Sequence, residues 1–103
     1  MTADLPILEF ANATFLEGRN TTVRRGVRWH GVPVARLRLQ DGSLSPPVAL
    51  ETELRVLRDL DAEALQFEHD PACRTLQGLL AELGRHYRGI SEDETVTLCH
   101  FRL

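Results

Sequence analysis

The segment VALETELRVL, residues 48–57, alternates between two kinds of side chain and constrains the fold more than any other feature of the chain. One side of it consists of Val48, Leu50, Thr52, Leu54 and Val56, and the other of Ala49, Glu51, Glu53 and Arg55. Successive side chains of a β-strand point to opposite faces of a sheet, so a period of two predicts a half-buried strand. The chain therefore has to build a sheet around this segment.

Two earlier segments, residues 21–29 and 32–40, have the same period of two and predict further strands. In the first of them Trp29 shares a side with two valines, which favours packing at the core or its rim over stacking on a base. The second is followed by the turn-rich sequence DGSLSPP. A short connection of this kind predicts that the strands before and after it pair antiparallel.

The predicted pairing also assigns partners to two arginines. Arg36 and Arg38 would lie opposite Glu51 and Glu53 on the neighbouring strand, as cross-strand ion pairs on a solvent-exposed face. We therefore interpret these two arginines as structural.

Helical segments are predicted on both sides of these strands. Residues 7–16 carry apolar side chains at helical spacing before Gly18, and a short helical turn is expected from Asp59 or Asp61 to Leu65. Asp70-Pro71 is a helix start signal, since an acceptor side chain precedes a residue preset for the first turn. The helix that follows is expected to end near Gly89. It has one apolar stripe, which consists of Leu76, Leu79, Leu80, Leu83 and Tyr87. The closing sequence ETVTLCHFRL is rich in strand formers on both faces and predicts a strand covered on both sides.

The composition indicates one globular domain spanning residues 1–103, with 43% hydrophobic and 26% charged residues. No apolar run approaches the roughly 20 residues of a membrane-spanning helix, and the first residues lack a basic signal-peptide region. We therefore expect a cytoplasmic protein, in which Cys73 and Cys99 are reduced. All 12 basic residues are arginine, so chemistry that needs a lysine amine is excluded.

Six arginines lie between Gly18 and Gln40 without any Asp or Glu, in a chain whose net charge is -3. Such a block favours an anionic ligand, because guanidinium groups bind phosphates with two parallel hydrogen bonds. The alternative is an exposed sheet face whose arginines pair with acids from elsewhere. For Arg24 and Arg28, which share a face with Thr22, both interpretations stay open.

Four stretches of the chain resemble the ASCH domains, which share a barrel with the PUA domains of RNA-modifying proteins. The early sequence FLEGRNTTVRRG is similar to the family's motif of Gly, a basic residue, Lys, Thr and then Thr-x-Arg. LRDLDAEALQF, the leucine-rich helix ending in HYRG, and the final ETVTLCHFRL are similar to the family's Asp-Leu turn, late helix and last strand. The resemblance spans nearly the whole chain and implies an α+β fold, a small PUA-like β-barrel of mixed strands with flanking helices.

The resemblance also implies a function, which is binding of RNA or a nucleoside-like small molecule in a cleft between residues 22–24 and the loop around Glu68. In that cleft Arg19 and Arg24 would hold an anionic or carbonyl group. Asn20, Thr22 and Glu68 would form hydrogen bonds with the edge of a base, for which an amide that both donates and accepts is well suited.

Some small ASCH proteins are amidohydrolases that deacylate an acylated cytidine with a Lys, a Thr and a later Glu. The corresponding catalytic residues here would be Thr22 and Glu68, with Asp70 as a competitor for the second role. The lysine position falls on Asn20 or Arg19, depending on the register, and neither can supply an amine. A third hypothesis is a protein-interaction module whose arginines are paired across the sheet.

The four histidines lack the spacing of a metal site, so we expect neither a metal nor another cofactor. His100 is expected to be a hydrogen-bonded residue of the last strand. His69, beside Glu68, is the one candidate proton carrier.

Overall fold

The centre of the fold is the last strand, as the computed structural model shows for residues 4–103, the part of the chain that it describes. The first sheet consists of β2 (Arg19–Arg25), β5 (Glu51–Val56) and β6 (Thr95–Arg102), in the order β2-β6-β5. Strand β6 pairs antiparallel with both neighbours, and its residues 96–99 are buried. The prediction that the closing strand is covered on both faces is therefore confirmed.

A second, smaller sheet covers one face of the first. It consists of β1 (Ile7–Leu8), β3 (Val34–Leu37) and β4 (Val48–Ala49), in the order β1-β3-β4. Strand β1 runs parallel to β3, and β4 runs antiparallel to it. Both β1 and β4 contain only two residues, so this sheet is a narrow cover.

The prediction of a PUA-like barrel is wrong. The described strands form two separate three-stranded sheets, and no strand pairing joins these sheets into a closed barrel. The chain changes sheets at Leu50, whose side chain is buried and whose N–H donates to the carbonyl of Pro33 at 2.8 Å. One uninterrupted alternating segment therefore supplies a strand to each sheet. The coarser α+β class describes the fold correctly.

This change of sheet also overturns the predicted partners of Arg36 and Arg38. Within the segment 48–57, β3 pairs only with the two residues of β4, and Glu51 and Glu53 belong to β5 in the other sheet. Instead, Arg36 donates to the carbonyl of Ser45 at 3.0 Å, and Arg38 lies 3.3 Å from the carboxylate of Glu9. The two arginines are structural, but through other contacts.

The predicted helix over residues 7–16 is wrong as well. The backbone of β1 pairs with β3, since Pro6 and Leu8 accept hydrogen bonds from Arg36 and Arg38 at 3.0 Å. The residues beyond β1 are irregular, and their two phenylalanines pack edge-on with each other, their centroids 5.1 Å apart. Both rings also contact Phe101 of β6. Tertiary packing of these rings overrides the local helical spacing.

The first predicted strand starts and ends earlier than residues 21–29. Strand β2 ends at Arg25 because Gly26 adopts a φ of 76°, a left-handed conformation that residues with a side chain rarely adopt. Val27 is consequently exposed, and Trp29 packs against the cluster around Leu8 and Leu37. The predicted packing role of Trp29 is therefore confirmed.

The helix is α1 (Leu76–His86), and it begins later than the start signal suggested. Asp70 caps a separate 3-10 turn, Pro71–Cys73, by accepting from Ala72. Thr75 then caps α1 itself by accepting from the N–H of Gly78 at 3.0 Å. A second 3-10 turn spans Leu57–Asp59 and ends where the predicted short helical piece begins. The predicted piece itself is a hydrogen-bonded turn, in which Asp61 accepts from the N–H of Ala64 at 2.9 Å and from the N–H of Leu65 at 3.1 Å.

Two buried clusters occupy the two faces of the first sheet. One lies between that sheet and α1 and consists of Val23, Leu57, Leu60, Leu65, Cys73, Leu79, Leu83, Val96 and Leu98. The other lies between the two sheets and consists of Leu8, Ala35, Leu37, Leu50 and Phe101. The first sheet therefore acts as a wall with a core on each side.

Candidate functional site

A loop beside β2 brings the two halves of the candidate site together. The N–H of Thr21 donates to Phe67 at 2.7 Å, and the carbonyl of Thr21 accepts from His69 at 3.0 Å. Residues 67–69 thus run parallel to β2 as an extra rung at its edge. This pairing places Glu68 beside the strand that carries Thr22 and Arg24, although more than forty residues separate them in sequence.

The two segments line one cavity of about 400 Å³. Its walls come from β2, from the loop before the 3-10 turn, from α1 and from the segment that follows β1. The polar lining consists of Glu9, Asn12, Thr22, Arg24, Glu68, His69, Asp70, Glu82 and His86. The apolar lining consists of Phe10, Ala11, Val23, Cys73, Leu79, Leu83 and Tyr87.

Arg24 supplies a positive charge to this cavity. Its Nε donates to Oγ1 of Thr22 at 3.2 Å, and its guanidinium carbon lies 4.8 Å from the centre of the Phe10 ring. Within residues 4–103, no carboxylate lies within 4.0 Å of this guanidinium. Burial lowers the pKa of Arg24 from its ordinary value of 12.5, so the environment disfavours the charge without removing it. The site thus contains a guanidinium without a carboxylate in direct contact among the described residues.

Glu68 is the buried acid of the cavity, with only 2% of its surface exposed. Its Oε1 accepts a hydrogen bond from the N–H of Asp70 at 3.2 Å. Burial raises the pKa of Glu68 to about 8, and the nearby Asp70 carboxylate acts in the same direction, while Arg24 opposes it. Glu68 therefore carries a proton at neutral pH.

His69 determines where that proton can go. Its Nδ1 lies 2.9 Å from the carbonyl oxygen of Thr14, and since a carbonyl only accepts, Nδ1 carries the hydrogen. The other ring nitrogen, Nε2, then has a lone pair in the neutral ring and lies 3.2 Å from Oε1 of Glu68. Burial lowers the pKa of His69, which favours the neutral ring. One proton between Nε2 and Oε1 thus keeps the pair uncharged overall.

The cavity lining carries three acids besides Glu68. Glu9, Asp70 and Glu82 contribute carboxylates to the lining, and the Glu82 carboxylate also contacts His86 at 3.1 Å, one turn along α1. Phe10 and Tyr87 add aromatic surface beside these acids. The arrangement suits a compact ligand with an apolar body and hydrogen-bonding groups, and it opposes a polyanion.

The structure brings Thr22, Arg24 and Glu68 to this cavity but places Arg19 and Asn20 elsewhere. Asn20 is fully buried, and its amide accepts from the N–H of Leu16 at 2.8 Å and donates to the carbonyls of Leu16 and Gly18. It therefore holds the turn before β2. The guanidinium of Arg19 is stacked over Phe67, 4.9 Å from the ring centre, and lines a different hollow.

Sequence reasoning did not assign several lining residues to the site. Tyr87 and Leu83 were part of the predicted apolar stripe, while Phe10 was assigned to a helix that does not form. Glu82 and His86 are one turn apart on α1, and this spacing was the available sign that both belong to one face. Phe10 offered no such sign, because only the tertiary fold places it over Arg24.

No protein-family model, curated protein or solved structure matches the chain significantly. Within residues 4–103, no cluster of three or more His, Cys, Asp or Glu side chains could hold a metal ion. Over the same range, no helix is both long and apolar enough to cross a membrane. The function therefore has to be argued from the cavity itself.

Proposed function

We propose that the cavity binds a small nucleoside-like molecule, as an ASCH-like domain would. The observation that carries the proposal is the convergence of Thr22, Arg24 and Glu68 on one cavity in which the guanidinium has no carboxylate partner. A half-buried cation without a carboxylate partner costs stability and is best explained by a ligand group that accepts its hydrogen bonds.

The size and surface of the cavity support a ligand of this class. Pockets for small molecules typically have volumes of about 300–1,000 Å³ and combine apolar walls with a few oriented polar groups. The cavity of about 400 Å³ is at the lower end of this range. Phe10 and Tyr87 offer aromatic surface on which a planar ring can pack.

The polar groups match the edge of a nucleobase. Arg24 donates hydrogen bonds, and the hydroxyl of Thr22 has a free hydrogen because its oxygen accepts from Arg24. Glu68 shares its proton with His69 through Oε1, so its other oxygen, Oε2, accepts. A heterocycle with neighbouring carbonyl, amine and ring-nitrogen groups presents this mixture of acceptors and donors. A simple aliphatic ligand does not.

A free nucleoside is favoured over RNA by the acids of the cavity lining. Glu9, Asp70 and Glu82 would repel a phosphate backbone, which RNA-binding surfaces instead neutralise with arginine and lysine. The arginine block of β2 and β3 does not compensate for this, since Arg25, Arg36 and Arg38 are engaged with other groups of the chain.

The test is an NMR titration of the labelled protein with a panel of nucleosides and with short RNA. We expect a saturable response of Thr22, Arg24 and Glu68 to at least one nucleoside, with a dissociation constant that changes little with salt. A matched pair of variants, Arg24→Gln and Arg28→Gln, removes one arginine from the cavity and one from the exposed turn after β2. Loss of the response in Arg28→Gln alone, or no response to any nucleoside, would contradict the proposal.

A second candidate function is hydrolysis of an amide on an acylated cytidine, and one observation favours it. Glu68 is a buried acid with a pKa of about 8 in the same cavity as the Thr22 hydroxyl, and perturbed acids of this kind are typical of general acid-base catalysis. At neutral pH, protonated Glu68 acts as the acid. The base is then either His69 or, at higher pH, the ionised form of Glu68.

Incubation with acylated cytidine tests this second candidate directly. Turnover should be lost in Thr22→Ala and in Glu68→Gln and should rise between pH 7 and 9 if ionised Glu68 is the base. Turnover that is equal in the wild type and in both variants would exclude these residues as catalysts.

A further inference from the structure

A second hollow, on the other side of β2 from Thr22, contains the arginine that the main cavity leaves out. It has a volume of about 250 Å³ and is lined by Arg19, Ala49, Glu51, His100, Phe101 and Arg102. All of these residues come from β2, β4, β5 and β6, so regular strands position them. Neither the nucleoside-like ligand nor the hydrolase chemistry involves this hollow.

Arg19 and Arg102 are direct cross-strand neighbours in this hollow. The register of β2 and β6 pairs them, and the backbones of Gly18 and Leu103 exchange two hydrogen bonds, of 3.1 and 2.9 Å, just beyond them. Like charges directly opposite each other on adjacent strands destabilise a sheet. The register thus places two positively charged residues side by side at this end of the sheet, a position that favours an anion.

The chain itself does not supply that charge at close range. Among residues 4–103, no carboxylate lies within 4.0 Å of either guanidinium, and neither donates a hydrogen bond to another protein group. Glu51 lines the same hollow but stays beyond that distance. Each guanidinium has five N–H donors, and in this hollow they remain available.

Two contacts prepare the hollow for a ligand. Arg19 is held over the Phe67 ring, which reduces the side-chain entropy lost on binding. His100 is fixed by a chain of hydrogen bonds across the whole sheet, because its Nε2 donates to Glu53 at 2.9 Å and its Nδ1 accepts from the Thr21 hydroxyl at 2.8 Å. The floor beside the two arginines is therefore rigid.

We propose that Arg19 and Arg102 form a binding site for the phosphate group of a small phosphate monoester. A phosphate dianion has three terminal oxygens and matches two guanidinium groups that approach from two strands, each with two parallel hydrogen bonds. A carboxylate has one charge and two oxygens and satisfies only one of the two arginines. The site is separate from the cavity of Thr22 and does not depend on its ligand.

Titration of the labelled protein with inorganic phosphate, phenyl phosphate and acetate, at constant ionic strength, tests the proposal. The side-chain signals of Arg19 and Arg102 should shift together and saturate with both phosphates, and acetate should bind at least about tenfold more weakly. The variants Arg19→Gln and Arg102→Gln should each weaken phosphate binding about tenfold or more, while Arg28→Gln leaves it unchanged.

Glu51→Gln provides a control in the opposite direction, because removal of the negative charge from the hollow should tighten phosphate binding. Equal shifts with acetate and phosphate would overturn the assignment to a dianion. The absence of saturation with either phosphate, or an equal loss in Arg28→Gln, would show that these arginines are only a solvated surface. All four substitutions are on exposed residues, so the fold should tolerate them.

Discussion

Nε2 of His69 faces Oε1 of Glu68 at 3.2 Å, while the opposite ring nitrogen is committed to the carbonyl of Thr14. Two bare acceptors at this distance would repel each other, so the folded protein keeps one proton between them. The pair is buried on both sides, with 2% of Glu68 and 7% of His69 exposed. Its protonation is therefore linked to folding.

This linkage predicts how stability depends on pH. Glu68 ionises near pH 4.5 in the unfolded chain but at about 8 in the folded protein, so the folded state binds more protons between these values. The free energy of unfolding should fall as the pH rises through this window, by at most about 5 kcal/mol. His69 has a lowered pKa and acts in the opposite direction below its ordinary value of 6.5, so the slope should be clearest from pH 6.5 to 8.

Urea unfolding at a series of pH values measures this slope, and Glu68→Gln is the matched control. The variant keeps the size of the side chain without its ionisation, so its stability should vary much less over the same range. An equal slope in both proteins would assign the linkage to another group.

Arg24 should lower the free energy of unfolding, although ligand binding in the cavity requires it. We expect Arg24→Met to raise the free energy of unfolding by about 1 kcal/mol, because it replaces an unneutralised cation with an apolar chain of similar length. The same variant should lose any ligand that the cavity binds. Thermal unfolding of Arg24→Met beside Arg28→Met measures the effect, and a strong destabilisation by the first substitution would indicate that the guanidinium is needed for the fold.

Asn20 should be a structural residue. Its amide has three hydrogen bonds to the backbone of Leu16 and Gly18 and is fully buried. Asn20→Ala leaves these backbone groups without partners and should cost about 2–3 kcal/mol in urea unfolding. Asn12→Ala removes an exposed amide from the same segment and should change stability by less than about 0.5 kcal/mol. Comparable losses in the two variants would contradict this role.

Two glycines of α1 provide a pair with opposite expectations. A Cβ on Gly78 would lie 1.9 Å from the carbonyl oxygen of Ala72, whereas a Cβ on Gly84 meets no atom within 4 Å. Gly78→Ala should therefore force α1 away from the 3-10 turn and cost more than about 2 kcal/mol. Gly84→Ala should stabilise the helix by about 0.5–1 kcal/mol. Circular dichroism during thermal unfolding distinguishes these outcomes, and stabilisation by both substitutions would show that the close approach is absent.

The sequence predicted the elements whose local pattern agrees with their tertiary environment. The strand at residues 95–102 and the apolar stripe of α1 are of this kind, since strand formers on both faces predict the burial of the first and helical spacing predicts that of the second. The segment 48–57 was correctly assigned to strands, but its period of two continues through Leu50 and contains no sign that the chain changes sheets there. The barrel, which the resemblance to ASCH domains implied, is replaced by two separate sheets.

The candidate site was predictable in part for a similar reason. Thr22 and Arg24 share one face of a strand by simple alternation, but their approach to Glu68 depends on a parallel rung that no local pattern encodes. Asn20 looked suited to a ligand because its amide both donates and accepts, and the folded backbone uses that same property. The hydrogen-bonding capacity of an amide therefore predicts equally well a contact with a ligand and a contact with the backbone.

The central position of β6 has a consequence for folding kinetics. Its pairing with β2 joins residues 19–25 to residues 96–102, which are near opposite ends of the chain. Non-local pairs of this kind raise the contact order and slow the search for the transition state. Both cores contain residues of β6, whose pairing with β2 closes the chain from residue 25 to residue 96, so we expect both cores to appear together, in one cooperative and comparatively slow step.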